Sequence, residues 1–327
     1  MKIGKVSESV LKRSVLKEIK TKRPEILLGA GVGEDCAAVM VAEDEVLVLS
    51  TDPITGASQD VGLYAIQITA NDLASSGAEP VGVMVTLLLP EETEEADLKQ
   101  LMRQMQENCE KLHMQIMGGH TEVTKVVNQP VVTVTGVGKA KKDSLISTGG
   151  AKPGCDIVVT KWIGLEGTGI IASEKEAELS ERFSNDFIKK AQSFKEYLSV
   201  VPEGMIAVKN HVKAMHDVTE GGIFGALWEM AEASGVGLEV DLLKIPVKQE
   251  TIEVCEFFGI NPYELISSGS MLMATEDGNG LVQALEKEGI AATVIGKATA
   301  GNDRVLLNQE ERRFLEPPKT DELYKVV

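Results

Sequence analysis

Asn71 and Asp72 stand side by side in Ala65–Ala78 (AIQITANDLASSGA), a segment that is otherwise apolar or small. The spacing predicts a helix over about 61–76, and a helix apolar on every face is a buried one. Burying a carboxylate costs several kcal/mol unless it is paired, hydrogen-bonded or metal-bound. The chain must therefore fold so that a partner or an ion meets Asp72.

The 327 residues are enough for two domains. We place the N-terminal domain at residues 1–146 and the C-terminal domain at 147–327. The join falls within Lys139–Gly154 (KAKKDSLISTGGAKPG), which is rich in Lys, Gly and Ser and reads as a connection. A formal net charge of −17 excludes nucleic acid as the main partner, because phosphate binding needs clustered cations. An anionic substrate would need a local counter-charge such as Mg²⁺ or backbone N–H groups. No apolar run is long enough to span a membrane, and the charged N-terminus does not resemble a secretory signal. Cytoplasmic placement is the expectation. Cys36, Cys109, Cys155 and Cys255 are too widely spaced for a zinc site or a disulfide framework.

Periodicity predicts an N-terminal amphipathic helix through Val6, Val10, Leu11, Val15, Leu16 and Ile19, then strands over 36–42, 45–50, 81–89 and 131–138. A charged helix is expected over 91–113. In the second half strands are expected at 156–160, 237–240, 270–274 and 292–295, and helices at about 184–199, 222–234 and 278–288. The fold class is mixed α/β.

Gly29-Ala30-Gly31-Val32-Gly33-Glu34 fails as a dinucleotide fingerprint, since position 34 is Glu and β-prone sequence follows. There is no P-loop. What remains is acidic residues in turns beside strands, Asp35 and Asp52, together with Asp72. Mg²⁺ takes hard oxygen ligands, one or two carboxylates with substrate phosphates, and these three could converge on one. Read singly, Asp35 and Asp52 are equally turn or cap residues. Gly118-Gly119-His120-Thr121 offers backbone N–H groups, a hydroxyl and a proton carrier to an anion, although Gly-Gly is commonly a turn. His216-Asp217-Val218-Thr219-Glu220-Gly221-Gly222 leads into a helix whose N-terminus is either a phosphate site or simply capped by Asp217 or Thr219. His211 and His216 are five apart and do not share a helix face.

Taken in order, G-x-G-E-D at Gly31–Asp35, T-D at Thr51-Asp52, N-D-L-A-x-x-G-A-x-P at Asn71–Pro80, G-G-H-T at Gly118–Thr121 and H-D-V-T-E-G-G at His216–Gly222 resemble the PurM-like superfamily. AIR synthase, selenophosphate synthetase, thiamine-monophosphate kinase and HypE belong to it. The likeness runs from about Gly31 to Leu307 and is nearest the hydrogenase maturation branch, through Glu229–Val247 and Cys255–Leu265. The resemblance implies an N-terminal half-barrel that dimerises, a C-terminal α/β domain, and ATP with Mg²⁺ between domains. It assigns Asp35, Asp52 and Asp72 to metal. It places Asn71, Gly118, Gly119, His120, Thr121, Gly221 and Gly222 with them at the nucleotide, and leaves His120 and Asp217 as catalytic candidates. The implied function is ATP-dependent activation of an oxygen on an unidentified substrate, and the implied partner is another maturation protein. Alternatives are a small-molecule kinase or cyclase, or a non-catalytic nucleotide-binding maturation partner. The chain departs from the branch in having no cysteine in its last residues, Asp321–Val327, and in carrying Ser267-Ser268-Gly269 where the branch has Asn-Glu-Gly. A catalytic carboxylate is therefore expected to be missing at position 268.

Overall fold

The structure, a computed structural model, describes residues 8, 9, 12, 16, 24, 26–29, 31–34, 36–54 and 60–327. The expected N-terminal helix and Asp35 lie outside the described residues.

The first half forms a six-stranded sheet from β1 (Ile26–Leu28), β2 (Ala37–Met40), β3 (Glu45–Ile54), β4 (Glu79–Leu89), β5 (Gln115–Val123) and β6 (Val131–Lys141), in the order β1-β2-β3-β6-β4-β5. Only β4 and β5 are parallel, which forces a crossover, supplied by the charged helix α2 (Glu95–Lys111). Helix α1 (Val61–Ser75) lies on the same sheet. Alternation in β3 buries Val46, Val48 and Ser50 toward α1 and leaves Leu47 on the far face. β5 is the edge strand and is exposed along nearly its whole length. The sheet's far face, with Leu47, Met84 and Met117 exposed, has no covering element among the described residues.

The second half builds a seven-stranded sheet in the order β13-β12-β9-β11-β7-β10-β8, from β7 (Asp156–Thr160), β8 (Ala214–Asp217), β9 (Gly237–Asp241), β10 (Met271–Thr275), β11 (Ala292–Thr299), β12 (Arg304–Asn308) and β13 (Glu311–Phe314). Its longer helices are α3 (Leu165–Glu174), α4 (Asn185–Gln192), α5 (Val201–Lys209), α6 (Gly222–Ser234), α7 (Gln249–Phe258) and α8 (Gly278–Lys287). Ile223, Leu227 and Met230 of α6 pack on Ile157, Val159 and Leu272 of the sheet. Ala207 of α5 and Leu281 and Leu285 of α8 pack with Val158, Met271 and Met273.

α1 joins the halves. It touches the first sheet, α5 and β8, and its Tyr64 and Ile66 share a core with Ile170 and Ile171 of α3. Burial on all sides accounts for its apolar composition. The expected connection over 139–154 is more ordered than its composition suggests: β6 runs to Lys141, and Ile146, Thr148 and Ala151 are buried.

Candidate functional site

Ser50 and Asp52 are two apart on β3 and so share the face covered by α1. The Ser50 hydroxyl donates to Asp72 Oδ2 and lies 3.4 Å from Asp52 Oδ2. The structure thus brings Asp52 and Asp72 together through one buried serine, which the sequence reading passed over. Cys36 Sγ, from the segment leading into β2, donates to the Asp72 carbonyl at 3.1 Å. Two carboxylates and a hydroxyl are hard oxygen donors of the kind Mg²⁺ takes.

Asn71 faces the other half. Its Nδ2 donates to the Leu198 carbonyl at 2.8 Å, and its Oδ1 accepts from Val200 N at 2.8 Å. The side chain is fully buried, and its amide is committed to holding the 198–200 backbone against α1.

Gly118–Thr121 lie within β5 and do not form a turn. Asp52 is in register with Val134, Val134 with Val85, and Val85 with Gly119. The glycine pair and Asp52 therefore stand in one row, three strand spacings apart, about 14 Å. A Cβ added to Gly119 would lie 1.8 Å from the Val85 carbonyl oxygen, so the close approach of β5 to β4 requires glycine there. His120 is in register with exposed Thr86, on the face away from α1. Its Nε2 is 3.3 Å from Glu122 Oε2, and both side chains are largely exposed. Within one chain His120 and Asp72 lie on opposite faces of the sheet.

The third motif is built differently from its sequence reading. β8 carries His216 and Asp217, both buried. His216 Nε2 is 2.8 Å from Glu229 Oε2 of α6. The residue capping α6 is Gly221, with φ +86°, and neither Asp217 nor Thr219 caps the helix. A Cβ on Gly222 would meet the Tyr263 carbonyl at 2.6 Å and the Leu265 carbonyl at 2.8 Å, so the 263–268 loop presses directly on the start of α6. The anion at this helix end comes from the chain itself. Asp321 Oδ2 accepts from Gly221 N at 2.6 Å, and its Oδ1 accepts from Ile266 N at 3.2 Å and Leu323 N at 2.8 Å. Burial pushes the Asp321 carboxyl up to about 6, against three backbone donors that favour its charge.

Beside it, Glu166 in the first turn of α3 is 3% exposed and accepts from Ser268 N at 3.2 Å. Burial pushes it up to about 7, opposed by Ser268 and reinforced by the charges of Asp321 and Asp217. Glu166, Ser50 and Asp321 are the residues sequence reasoning missed. Ser50 stood two before Asp52 on an alternating strand, which was signal enough. Glu166 and Asp321 carry no local signal, since only the fold buries them.

A carboxyl with a raised folded-state pKa binds more protons folded than unfolded. Its stability term therefore falls as pH rises from the ordinary 4.5 through about 7. Glu166→Gln removes that cost. It is expected to stabilise the protein by about 2–3 kcal/mol at pH 8 and by almost nothing near pH 4, read from urea unfolding at the two pH values.

Comparison with known proteins agrees with this architecture. The model for the N-terminal domain of AIR synthase related proteins matches residues 33–140, and that for the C-terminal domain matches residues 152–307. The chain belongs to the AIR synthase related, PurM-like family. It is 27% identical to a putative hydrogenase expression/formation protein of Methanocaldococcus jannaschii, over 99% of this chain and 97% of that protein. It is 30% identical to the carbamoyl dehydratase HypE of Cupriavidus necator, over 77% of this chain and 72% of that one. A crystal structure of hydrogenase maturation protein HypE in complex with ATP superposes with a TM-score of 0.73 at 20% identity, covering 99% of this chain and 97% of that chain. The two-domain fold and the HypE-like character expected from the sequence are both found.

Proposed function

We propose that this chain is an ATP- and Mg²⁺-dependent enzyme, a HypE-like paralogue linked to hydrogenase maturation, that activates an oxygen of an unidentified substrate by phosphorylation. The observation that carries it is the Ser50 bridge between Asp52 and Asp72 at the junction of the halves. Asp52 and Asp72 would hold Mg²⁺ together with phosphate oxygens, and Asp35 is proposed as their companion from the motif alone. ATP supplies the phosphoryl group, and the ion offsets charge that an acidic protein does not neutralise by itself. The protein bound to ATP in the superposed HypE structure supports the nucleotide part of this reading.

The four cysteines are all buried, and burial pushes Cys109 up to about 11 and Cys255 up to about 12. Neither is a ready nucleophile at neutral pH. That favours a substrate delivered in trans by a maturation-protein partner over a thiol of this chain. The exposed edge strand β5 and the apolar far face with Met84 and Met117 support a homodimer that closes a barrel, which also removes the open edge. Sedimentation showing only monomer at micromolar concentration would contradict it. We place the protein in the cytoplasm; no helix among the described residues is long and apolar enough to cross a membrane.

Isothermal titration with ATP and Mg²⁺ tests the proposal. Wild type is expected to bind, and Asp72→Ala to lose at least about 100-fold in affinity, the size expected when a charge-assisted contact to a metal–phosphate group is removed. Absence of binding heat from the wild type rejects it.

A further inference from the structure

We propose that Ser50 is a placeholder for the divalent ion and thereby sets how weakly Asp52 and Asp72 take that ion in the absence of nucleotide. This rests on the ATP- and Mg²⁺-dependent reading above. Ser50 and Asp52 lie two apart on β3, and Asp72 comes to them from α1, so one hydroxyl meets two carboxylates from two elements. A hydroxyl has one proton to give. It goes to Asp72 Oδ2, while Asp52 Oδ2 stands 3.4 Å from the same Ser50 oxygen.

Burial is what makes this bond count. Ser50 and Asp72 are 4% and 3% exposed, so bulk water is not at hand to replace the donor. A hydrogen bond to a carboxylate is also stronger than one between neutral groups. The backbone around the pair is held by other contacts. The Asp72 carbonyl accepts from Cys36 Sγ at 3.1 Å and from Ser75 Oγ at 2.7 Å, and Asp52 is fixed in register with Val134 of β6. Loss of the Ser50 hydroxyl therefore removes the donor without freeing the elements that carry the two carboxylates.

While Asp72 Oδ2 accepts the Ser50 proton, that proton points to where a cation would bind. Before this oxygen can serve a divalent ion, the hydroxyl has to turn its proton away and give up a charge-assisted hydrogen bond. The bond is thus made only in metal-free protein, and its whole strength opposes the ion. Nucleotide phosphates bring further oxygen ligands, which offset what the bond withholds. Ser50 in this way makes the carboxylate pair a weak site for the ion alone and a competent one for the ion with ATP.

The test uses the full chain and Mn²⁺, read by electron paramagnetic resonance of the free ion, without nucleotide and with a non-hydrolysable ATP analogue. Without nucleotide, Ser50→Ala is expected to bind Mn²⁺ at least about tenfold more tightly than wild type, the equivalent of one hydrogen bond to a charged group. In EDTA its melting midpoint is expected to fall by about 2–4 °C. That deficit is expected to vanish at saturating Mn²⁺, because the lost bond exists only without the ion. Thr51→Ala removes the neighbouring hydroxyl, which bonds Thr135 on the other face of β3, and is expected to leave Mn²⁺ affinity unchanged. The role is overturned if Ser50→Ala binds Mn²⁺ as wild type does, or more weakly, which would make the hydroxyl a ligand. It is equally overturned if the deficit persists at saturating Mn²⁺, or if Thr51→Ala tightens binding as much. Failure of wild type to bind Mn²⁺ with the analogue overturns instead the metal–nucleotide reading on which the role rests.

Discussion

Asn71→Ala is expected to destabilise the protein by about 4 kcal/mol, from two buried backbone groups left without partners at 1–3 kcal/mol each. The groups are the Leu198 carbonyl and the Val200 N–H, each 2.8 Å from the Asn71 amide. The thermal midpoint is expected to fall by roughly 10 °C. Asn71→Asp keeps the acceptor for Val200 N–H but sets a carboxylate against the Leu198 carbonyl. Its loss is expected to be as large at neutral pH and to shrink on acidification, because the protonated acid can donate again and its folded-state pKa lies above its unfolded one. If Asn71 served nucleotide alone, the Ala variant would lose ATP affinity with its melting midpoint unmoved.

Lys161→Met is expected to cost a further 3–5 kcal/mol or so by leaving a buried carboxylate unpaired. Lys161 Nζ lies 2.7 Å from Glu203 Oε1 and donates to the Tyr197 and Ser199 carbonyls at 3.0 and 2.6 Å. Glu203 is 1% exposed, and burial also presses the Lys161 ammonium below its ordinary pKa. Removing both charges in Lys161→Met with Glu203→Leu is expected to recover about 2 kcal/mol relative to Lys161→Met alone, which chemical unfolding of the three proteins reads directly. Lys161 holds residues 197–199 from the second domain, and Asn71 holds 198–200 from the first. Because the two anchor one segment, Asn71→Ala and Lys161→Met together are expected to cost less than the sum of their separate effects.

The parts of this fold that burial pattern alone dictates were legible in the sequence. α1 was placed at 61–76 against Val61–Ser75, and its embedded Asp72 was recognised as needing a partner. β7, α6 and α8 also fell within a residue or two of expectation. α3 was missed because Gly167 and Gly169 depress local helix propensity, which its packing against Leu265 overrides. The helix expected over 184–199 ends at Gln192 and tightens into a 3₁₀ turn over Ser193–Tyr197, whose last carbonyl accepts from Lys161. Gly118-Gly119 looked like a turn, since sequence does not show that β4 lies in contact along its length and pulls β5 through to Val123. β12 and β13 are short and polar on one or both faces, below the reach of an alternation signal. At the site, the motifs named the carboxylates but not what holds them. Ser50 was legible from its spacing to Asp52 on an alternating strand, whereas Glu166 and Asp321 are unremarkable in sequence and gain their chemistry from burial.

On the proposed function, Asp52 and Asp72 release Ser50 to grip a divalent ion bound to a triphosphate. A crystal structure with a non-hydrolysable ATP analogue and Mn²⁺, read by anomalous scattering, measures this directly. One peak is expected within about 2.3 Å of a carboxylate oxygen from each of Asp52 and Asp72, with phosphate oxygens completing the shell. A peak elsewhere, with Ser50 still bonded to Asp72, would contradict it.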